Sequence, residues 1–323
     1  MQYSNQTVLS IFKPEIVTKD VEFFNSNNFI TKYIFMLKKI LATKNFDVIH
    51  AHTPHVGLLF IIYSIIFGSR STKKIFSVHY SFNYIRWRNR LFIFPIFLFF
   101  DTIIFCSESS KNSFPRWYLF FVRKKSSIIY NGVDLKLINK INIENRTPYF
   151  VIITVSRLVK NKNFGSIINA LYQLDNKNVK LRIVGDGPEK NNLNKLSNSL
   201  GLESQVTFYG QVERKKVYGL LSSSDLFISM SKTEGHPVSV LEALGAGKPV
   251  ILSNIGPHRE IAKNDACVKI TDENHLVNSI NYFREKSKKE LSIISKLSQD
   301  LIKKYFSIEK MTHNYISVYK KLL

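Results

Sequence analysis

Two glutamates, Glu234 and Glu242, are separated by seven residues in the segment EGHPVSVLE, which has the clearest chemical potential in the chain. The segment follows the strand-like run 225–231 and continues into a helical pattern, where Pro237 fits the first turn. A helix start exposes backbone N–H groups at the positive end of the helix dipole, and these bind anions. Either glutamate alone is usually a solvated charge. The whole segment instead predicts a site for a diphosphate or for sugar hydroxyls, flanked by two carboxylates.

Two cations, Arg157 and Lys162, lie at the end of the strand-like run 150–158 and just after it. In that position they can neutralise a diphosphate as it becomes a leaving group. The later run VGDGPE supplies Gly185 and Gly187, which permit a tight turn and close approach of a ligand. These residues leave open whether the run contacts a ligand or is only a turn between a strand and a helix.

Strand-like and helical patterns alternate along the whole chain. The strand-like runs are short and apolar, β-branched or aromatic, as in strands buried on both faces. They lie at 8–12, 47–52, 74–80, 102–107 and 126–132 in the first half and at 150–158, 180–187, 205–212, 225–231, 249–254 and 266–271 in the second. This alternation predicts an α/β fold with two doubly wound parallel sheets.

The join between the two predicted domains follows the turn signal Asn131-Gly132 and includes the polar stretch 139–148. We expect an N-terminal domain at 1–138, a C-terminal domain at 149–305 and a last helix at 306–323 that packs back towards the N-terminal domain. Ligands bind at the carboxyl ends of the strands in such sheets. The glutamates and cations above follow predicted strands, so they lie where a ligand is expected.

The formal net charge of +22 favours contact with phosphates, nucleic acids or anionic membranes. No nucleic-acid-binding motif accompanies it, so we expect no nucleic-acid partner. No acidic residue lies between Asp47 and Asp101, where basic and aromatic residues interleave. This stretch is either a solvated basic face or a surface that rests on anionic lipid. Its members are Arg70, Lys73, Lys74, Arg86, Arg88, Arg90, Tyr80, Phe82, Tyr84, Trp87 and Phe92.

No segment has the roughly 20 apolar residues of a membrane-spanning helix. The most apolar runs, 55–68 and 91–106, are better interpreted as buried elements of an α/β core. The first 20 residues carry charges and a proline instead of the apolar core of a signal peptide. Two cysteines are too few for a disulfide framework and indicate a reducing compartment. We therefore expect a cytoplasmic protein, with peripheral contact to the inner face of the cell membrane as a further possibility.

Four motifs occur in a characteristic order: SRL with a following lysine, GDGPE, the run SKTEGHPVSVLEALGAGKPV and IGPHREI. In this order they resemble the retaining glycosyltransferases of family 4, also known as glycosyl transferases group 1. The resemblance covers about residues 45–323 and includes FDVIHAH, KIFSVHY, FCSESS and YNGVD in the first half. It implies the GT-B fold, in which two Rossmann-like domains face each other across a cleft.

The resemblance implies roles for the charged residues. Arg157 and Lys162 match the pair that holds the donor diphosphate, and Glu234 matches the glutamate beside the transferred sugar. Glu242 matches the one that accepts hydrogen bonds from ribose hydroxyls. No DxD sequence is present, so we expect no metal site and no cofactor, with the two cations and the helix start supplying the positive charge.

The resemblance also places several uncharged groups near the donor. Val212 matches the residue that cradles the nucleoside, and His79 matches a histidine of the N-terminal domain that faces the sugar. His50 and His52 also end a strand-like run and are the competing candidates. Backbone contacts with sugar and phosphate are expected from the loop and helix start formed by Gly235, His236, Pro237 and Val238.

The implied function is transfer of a sugar, with retention, from a nucleoside diphosphate sugar to a glycan or lipid-linked acceptor in bacterial surface polysaccharide or lipopolysaccharide assembly. The alternatives are a sugar-nucleotide epimerase of the same fold and a truncated nucleotide-binding protein without activity. The family opens with a strand and a glycine-rich loop, whereas the first glycine here is Gly57. About fifty residues are therefore expected to be missing from the N-terminal domain, which puts acceptor binding in doubt.

Overall fold

The fold is α/β, with two larger parallel sheets joined by helices and a separate strand pair. The structure is a computed structural model that describes residues 6–10, 21–25, 30–67, 72–85, 87–140 and 147–323. The separate pair is β1 (Gln6–Ser10) and β2 (Val21–Asn25), which run parallel. The α/β class expected from the sequence is confirmed.

The sheet in the second half is doubly wound. All of its strands are parallel, in the order β12-β11-β10-β7-β8-β9, so the order reverses between β7 and β10. Ligand crevices form at such reversal points. The strands are β7 (Phe150–Val155), β8 (Val179–Val184), β9 (Val206–Gly210), β10 (Leu226–Ser229), β11 (Val250–Ser253) and β12 (Val268–Thr271). The helices are α7 (Phe164–Leu174), α8 (Lys190–Ser199), α9 (Arg214–Ser222), α10 (Val238–Gly245), α11 (Gly256–Ile261), α12 (Leu276–Arg284) and α13 (Lys288–Tyr305).

The larger sheet of the first half follows chain order, β3-β4-β5-β6, and is also parallel. Its strands are β3 (Val48–Ala51), β4 (Lys73–Val78), β5 (Thr102–Phe105) and β6 (Ser126–Ile128). The helices are α1 (Ile30–Thr43), α2 (Pro54–Phe67), α3 (Trp87–Phe99), α4 (Glu108–Asn112), α5 (Arg116–Val122) and α6 (Leu135–Asn139). Of the predicted strand 8–12, residues 11 and 12 lie outside the described residues.

Several short helices were missed by the sequence interpretation. Helices α4 and α6 have five residues each, too few to show a helical period. Both begin at a side-chain cap: Ser107 Oγ accepts a hydrogen bond from the Ser110 amide, and Asp134 accepts from the amides of Lys136 and Leu137. These two capping residues, Ser107 and Asp134, were the sequence signal from which the starts of α4 and α6 could have been predicted.

The two most apolar runs form α2 and the segment from α3 into β5, and only part of each is buried. Phe60 and Phe97 are buried in the core of the first half, whereas Ile65, Ile66 and Leu91 are exposed. The sequence interpretation of both runs as buried elements of an α/β core therefore holds for one part of each run and not for the other. In the described part of the chain, no helix is long and apolar enough to cross a membrane.

The last helix, α14 (Ile308–Leu322), leaves the second half and packs on the sheet of the first. Met311, Tyr315 and Tyr319 contact a small cluster formed around Ile75 and Ile104. The crossing is fixed by backbone hydrogen bonds, from the Val133 amide to the Phe306 carbonyl and from the Ile308 amide to the Val133 carbonyl. The C-terminal segment therefore ties the two halves together.

The turn after β8 allows a stability prediction. Gly185 has φ of +133°, and a Cβ there would lie 2.0 Å from the Ser156 carbonyl oxygen. Gly185→Ala should lower the free energy of unfolding by at least about 1–3 kcal/mol, measured by urea denaturation. Gly165→Ala is the matched control because Gly165 lies within α7 with only ordinary packing around it. That variant should be neutral or slightly stabilising, and equal losses for the two variants would contradict this account.

Candidate active site

The loop after β10 lies against the first half of the chain at Gly235. A Cβ on Gly235 would lie 2.2 Å from the His79 carbonyl oxygen, so only glycine fits there. Three consecutive carbonyls of the loop accept hydrogen bonds from the other half. The donors are Ser81 Oγ to Glu234 at 2.6 Å, Ser107 Oγ to Gly235 at 2.8 Å and Asn131 Nδ2 to His236 at 2.8 Å. The loop is thereby held at the junction of the two halves.

The start of α10 carries backbone amides that make no hydrogen bond within the described part of the chain. Pro237 precedes the first helical residue, Val238. In the described part of the chain, no hydrogen bond uses the amides of Gly235, His236 or Val238 as donors. Unused amides at the positive end of a helix dipole are suited to bind an anion, and these lie at the reversal point of the sheet, where the sequence predicts such a site.

Glu234 is paired with one of the two predicted cations. Lys162 Nζ lies 2.5 Å from Glu234 Oε1, and both side chains are largely buried. The loops that carry them are linked by a hydrogen bond from the Lys232 amide to the Asn161 carbonyl at 2.8 Å. Arg157, on the same loop as Lys162, is exposed. One cation is thus held by the carboxylate, while the other extends into solvent.

Gly185 and Gly187 allow the turn after β8 to pack on the loop that carries Arg157. A Cβ on Gly187 would lie 2.4 Å from the Leu158 carbonyl oxygen, and the Leu158 amide donates to the Asp186 carbonyl. Both glycines are explained by this backbone contact. The sequence left open whether they contact a ligand, and the packing shows that they support the Arg157 loop.

Glu242 is also paired with a cation, one that the sequence analysis missed. Its Oε1 accepts from Arg214, with distances of 2.5 Å to Nη2 and 3.1 Å to Nε, and from the Tyr218 hydroxyl at 3.1 Å. Burial and the Glu242 charge raise the pKa of Tyr218, so its hydroxyl stays protonated and donates. Arg214 begins α9, two residues after Val212, which packs partly against the core. No sequence motif identified Arg214, because the pairing depends on tertiary structure.

The His79 side chain is in contact with a second histidine, His52. Its Nε2 lies 3.0 Å from Nδ1 of His52, and the two rings are stacked. Burial lowers the pKa of His79, and burial together with the neighbouring His79 lowers the pKa of His52 to about 4. Both rings are therefore neutral at pH 7. A hydrogen bond between two neutral imidazoles leaves the pair with one N–H donor and one acceptor nitrogen for other contacts.

His50, the other competing histidine, is bound by protein groups on both ring nitrogens. Tyr319 Oη lies 2.7 Å from Nδ1, and Ser77 Oγ lies 2.8 Å from Nε2. Its ring stacks on His52 at a centroid distance of 4.2 Å. His50 thus has a structural position beneath α14, whereas His52 and His79, although packed on each other, keep surface that is accessible to solvent.

The His236 ring points away from the anion site. It is buried between Tyr130 and Phe306, with ring centroids 5.2 and 5.3 Å away. Neither ring nitrogen has a hydrogen-bond partner. Only the backbone of His236 can therefore contribute to ligand binding. In the described residues, no group of three or more His, Cys, Asp and Glu side chains could hold a metal ion.

Comparison with known proteins agrees with this geometry. Residues 137–300 match the family model for glycosyl transferases group 1, and residues 10–137 match that for glycosyltransferase family 4. The chain belongs to the glycosyl transferases group 1 family. It is a glycosyltransferase, as the sequence analysis predicted.

Several relatives of this glycosyltransferase align over most of its length. It is 28% identical to the Escherichia coli O-antigen biosynthesis glycosyltransferase WclY over 86% of this chain and 80% of that protein. It is 26% identical to an Escherichia coli UDP-Gal:alpha-D-GlcNAc-diphosphoundecaprenol alpha-1,3-galactosyltransferase, over 89% and 79% of the two chains. The crystal structure of Anabaena HepE with UDP and glucose is similar, with a TM-score of 0.77 at 21% identity and coverage of 93% and 86%. The structural likeness confirms the GT-B fold.

The sequence-predicted site residues of this glycosyltransferase fall into two groups. Lys162 pairs with Glu234, and the next residue, Gly235, packs on the His79 backbone at the junction of the two halves. Glu242 lies within α10 and is bound by Arg214, which begins α9 two residues after Val212. Sequence reasoning missed Arg214 and the contact of His52 with His79.

The unpartnered His236 ring leads to a prediction on pH dependence. Burial and the nearby His258 lower the pKa of His236 to about 3, while an unfolded chain has about 6.5. Below pH 6.5 the unfolded chain therefore binds a proton that the folded chain does not, and stability falls as the pH falls. His236→Phe should reduce this slope by up to about 1.4 kcal/mol per pH unit between pH 6.5 and 3.

At pH 7 the His236→Phe variant should also be more stable by about 1 kcal/mol, because no buried nitrogen is left without a partner. Urea denaturation at a series of pH values measures both effects. His313→Asn, at an exposed position on α14, is the control. The same slope in wild type and the His236→Phe variant would disprove the interpretation.

Proposed function

We propose that this enzyme transfers a sugar, with retention, from a nucleoside diphosphate sugar to a hydroxyl of a growing surface polysaccharide. The observation that carries the proposal is the α10 start, where amides without an acceptor among the described residues lie in the chain between two cation-paired carboxylates, Glu234 and Glu242. The names of the relatives support the pathway, since WclY acts in O-antigen biosynthesis and another relative is a galactosyltransferase named for a diphosphoundecaprenol-linked acceptor. HepE binds UDP and glucose on the same fold.

In this proposal the donor diphosphate lies at the amides of the α10 start, beside Lys162 and Arg157. The nucleoside lies between Val212 and Glu242, whose carboxylate accepts from the ribose. The sugar then extends towards Glu234 and the His52–His79 pair. This order is supported by the Arg214–Glu242 pair, which joins the start of α9 to α10, and by Gly235, which joins the loop before α10 to the His79 backbone.

Neither glutamate is placed as a nucleophile. Glu234 is paired with Lys162, and Glu242 is paired with Arg214 and Tyr218, so each carboxylate has its charge neutralised. We assign a front-face reaction instead. The bond from the anomeric carbon to the diphosphate oxygen breaks while the acceptor oxygen bonds on the same face, and the leaving phosphate accepts the acceptor proton. Arg157 and Lys162 stabilise the charge on that phosphate without a divalent metal.

A membrane surface on the N-terminal half fits a lipid-linked acceptor. Among the described residues, several strongly exposed apolar side chains lie on the adjoining helices α2, α3 and α5, while Phe35 on α1 and the C-terminal Leu323 are exposed elsewhere. Ile65, Trp87 and Phe120 are 68, 70 and 71% exposed. Exposed Arg116, Arg123 and Lys124 accompany them on α5 or just after it. Apolar anchors with neighbouring cations are suited to an anionic lipid surface.

This surface shares Trp87 with the basic-aromatic stretch in the sequence but does not rest on the arginines of that stretch. Arg70 and Arg86 lie outside the described residues, as does the Arg88 side chain. Arg90 packs on the Phe82 ring and donates to the Ile85 carbonyl, so it supports the fold. Helix α3, which contributes Trp87 to the membrane surface, begins six residues after Ser81. The Ser81 hydroxyl donates a hydrogen bond to the Glu234 carbonyl, so α3 follows closely in the chain a residue that contacts the candidate site. An acceptor anchored in the membrane would therefore reach the cleft from this side.

Removal of either cation, Arg157 or Lys162, should reduce turnover more than it reduces affinity for the donor. Arg157→Ala and Lys162→Ala should each lower kcat by about 100-fold with a smaller change in nucleotide affinity, because charge on the phosphate grows in the transition state. The assay measures nucleoside diphosphate released from a panel of donor sugars, with a lipid-diphosphate-linked sugar as acceptor. Lys160→Ala, on the same loop, is the control and should keep full activity.

If the Arg157→Ala and Lys162→Ala variants lost only nucleotide affinity and kept kcat, the leaving-group role would be wrong.

The wild-type rate in this assay should persist in excess EDTA. A rate abolished by EDTA and restored by magnesium or manganese would disprove the metal-free reaction.

The membrane surface is tested by charge reversal. The combined variant Arg116→Glu, Arg123→Glu and Lys124→Glu should bind phosphatidylglycerol vesicles about 100-fold more weakly, since each cation contributes about 1 kcal/mol near such a surface. High salt should release the wild-type protein, because charges are then screened within about 3 Å. Flotation with vesicles measures both effects.

The matched control reverses exposed lysines of the C-terminal half, Lys215, Lys288 and Lys289. It should leave vesicle binding nearly intact. Equal binding of wild-type protein to phosphatidylcholine and phosphatidylglycerol vesicles, or equal losses in the two triple variants, would remove the surface from the proposal.

A further inference from the structure

Within the described part of the chain, only one oxygen of the Glu242 carboxylate accepts hydrogen bonds. Its Oε1 accepts three hydrogen bonds, two from Arg214 and one from Tyr218. In the described residues, no hydrogen bond reaches Oε2. A carboxylate oxygen has two lone pairs, so Oε1 is saturated and Oε2 keeps its accepting capacity.

Arg214 stands between this buried carboxylate and solvent. The Glu242 side chain is 9% exposed, whereas that of Arg214 is 51% exposed. Arg214 is the first residue of α9, directly after the loop that contains Val212. Its guanidinium therefore lies on the solvent side of Glu242, close in sequence to Val212, the residue predicted to cradle the nucleoside.

Loss of the guanidinium would leave Glu242 with Tyr218 as its one hydrogen-bond donor among the described residues. A buried carboxylate without a cation is costly, and the side chain is then expected to reorient towards solvent. Lysine cannot replace arginine fully, because it lacks the planar fork that places two N–H groups on one oxygen. The geometry of Glu242 thus depends on the guanidinium and not on positive charge alone.

We propose that Arg214 is a donor-specificity residue, which holds Glu242 so that Oε2 faces the ribose and makes the enzyme select ribonucleotides over deoxyribonucleotides. The inference rests on the proposed function, since it assumes that a nucleoside diphosphate occupies this site. Arg214 stays on Oε1 when the donor binds, because leaving would strip a buried carboxylate of its cation. A ribose hydroxyl then donates to Oε2.

The test compares ribo- and deoxyribonucleotides. Calorimetry first identifies which of UDP, GDP, ADP and CDP binds the wild-type protein most tightly, and then measures its 2′-deoxy and 3′-deoxy analogues. Wild type should bind the ribonucleotide about tenfold more tightly than at least one analogue, as expected for one hydrogen bond to a charged acceptor. Arg214→Ala should weaken ribonucleotide binding about tenfold and reduce the preference over that analogue to about twofold or less.

Two further variants separate positioning from charge. Lys215→Ala removes the neighbouring exposed cation and should keep both the affinity and the preference. Arg214→Lys should keep part of the affinity but lose most of the preference, and it carries the test if Arg214→Ala does not fold.

Three outcomes would overturn the inference. Unchanged affinity and preference in Arg214→Ala would place Arg214 outside the site. Equal losses for ribo- and deoxyribonucleotides would indicate a general attraction for the diphosphate. A wild-type preference that Arg214→Lys retains in full would show that charge alone suffices. If wild type bound none of the four nucleotides, the proposed function itself would fail, and the inference with it.

Discussion

The contact of Gly235 with the His79 backbone is the constraint on which the site depends. With no room for a Cβ, the loop after β10 lies directly on the N-terminal half, and three of its carbonyls accept hydrogen bonds from that half. Because a trans peptide directs its C=O and N–H to opposite sides, the amides of Gly235 and His236 point away from the serines that bind these carbonyls. The same contact thus fixes the junction and frees the amides for an anion.

Paired charges are the second organising feature. Each of the two glutamates holds a cation before any donor is present, Lys162 at Glu234 and Arg214 at Glu242. A carboxylate near a diphosphate would otherwise repel it, and a neighbouring cation removes most of that repulsion. The exposed Arg157 then remains to meet the ligand. This arrangement explains how an acidic motif can form part of an anion site.

Much of the site was predictable because its motif is local. The segment 234–242 encodes its own strand end, loop and helix start, so period and turn chemistry sufficed to place Glu234 and Glu242 at the edge of a parallel sheet. The Arg214 pairing and the His52–His79 contact were not predictable, since each joins elements that are remote in sequence. The His236 ring gave no signal either, because histidine sits there in an aromatic packing position. The exposed side chains of the apolar runs 55–68 and 91–106 were not predictable for a related reason. A continuous apolar run does not show which face of a helix packs on the core and which face stays exposed.

The most direct test of the account is hydrogen–deuterium exchange of the wild-type protein with and without a saturating nucleoside diphosphate. If the amides of the α10 start bind the diphosphate and Glu242 binds the ribose, the ligand should slow exchange at residues 234–242. Smaller protection should follow in the Arg157–Lys162 loop and around Val212. Saturation of the protein with no change at 234–242, or with protection confined to other segments, would contradict the central claim that this helix start is the donor site.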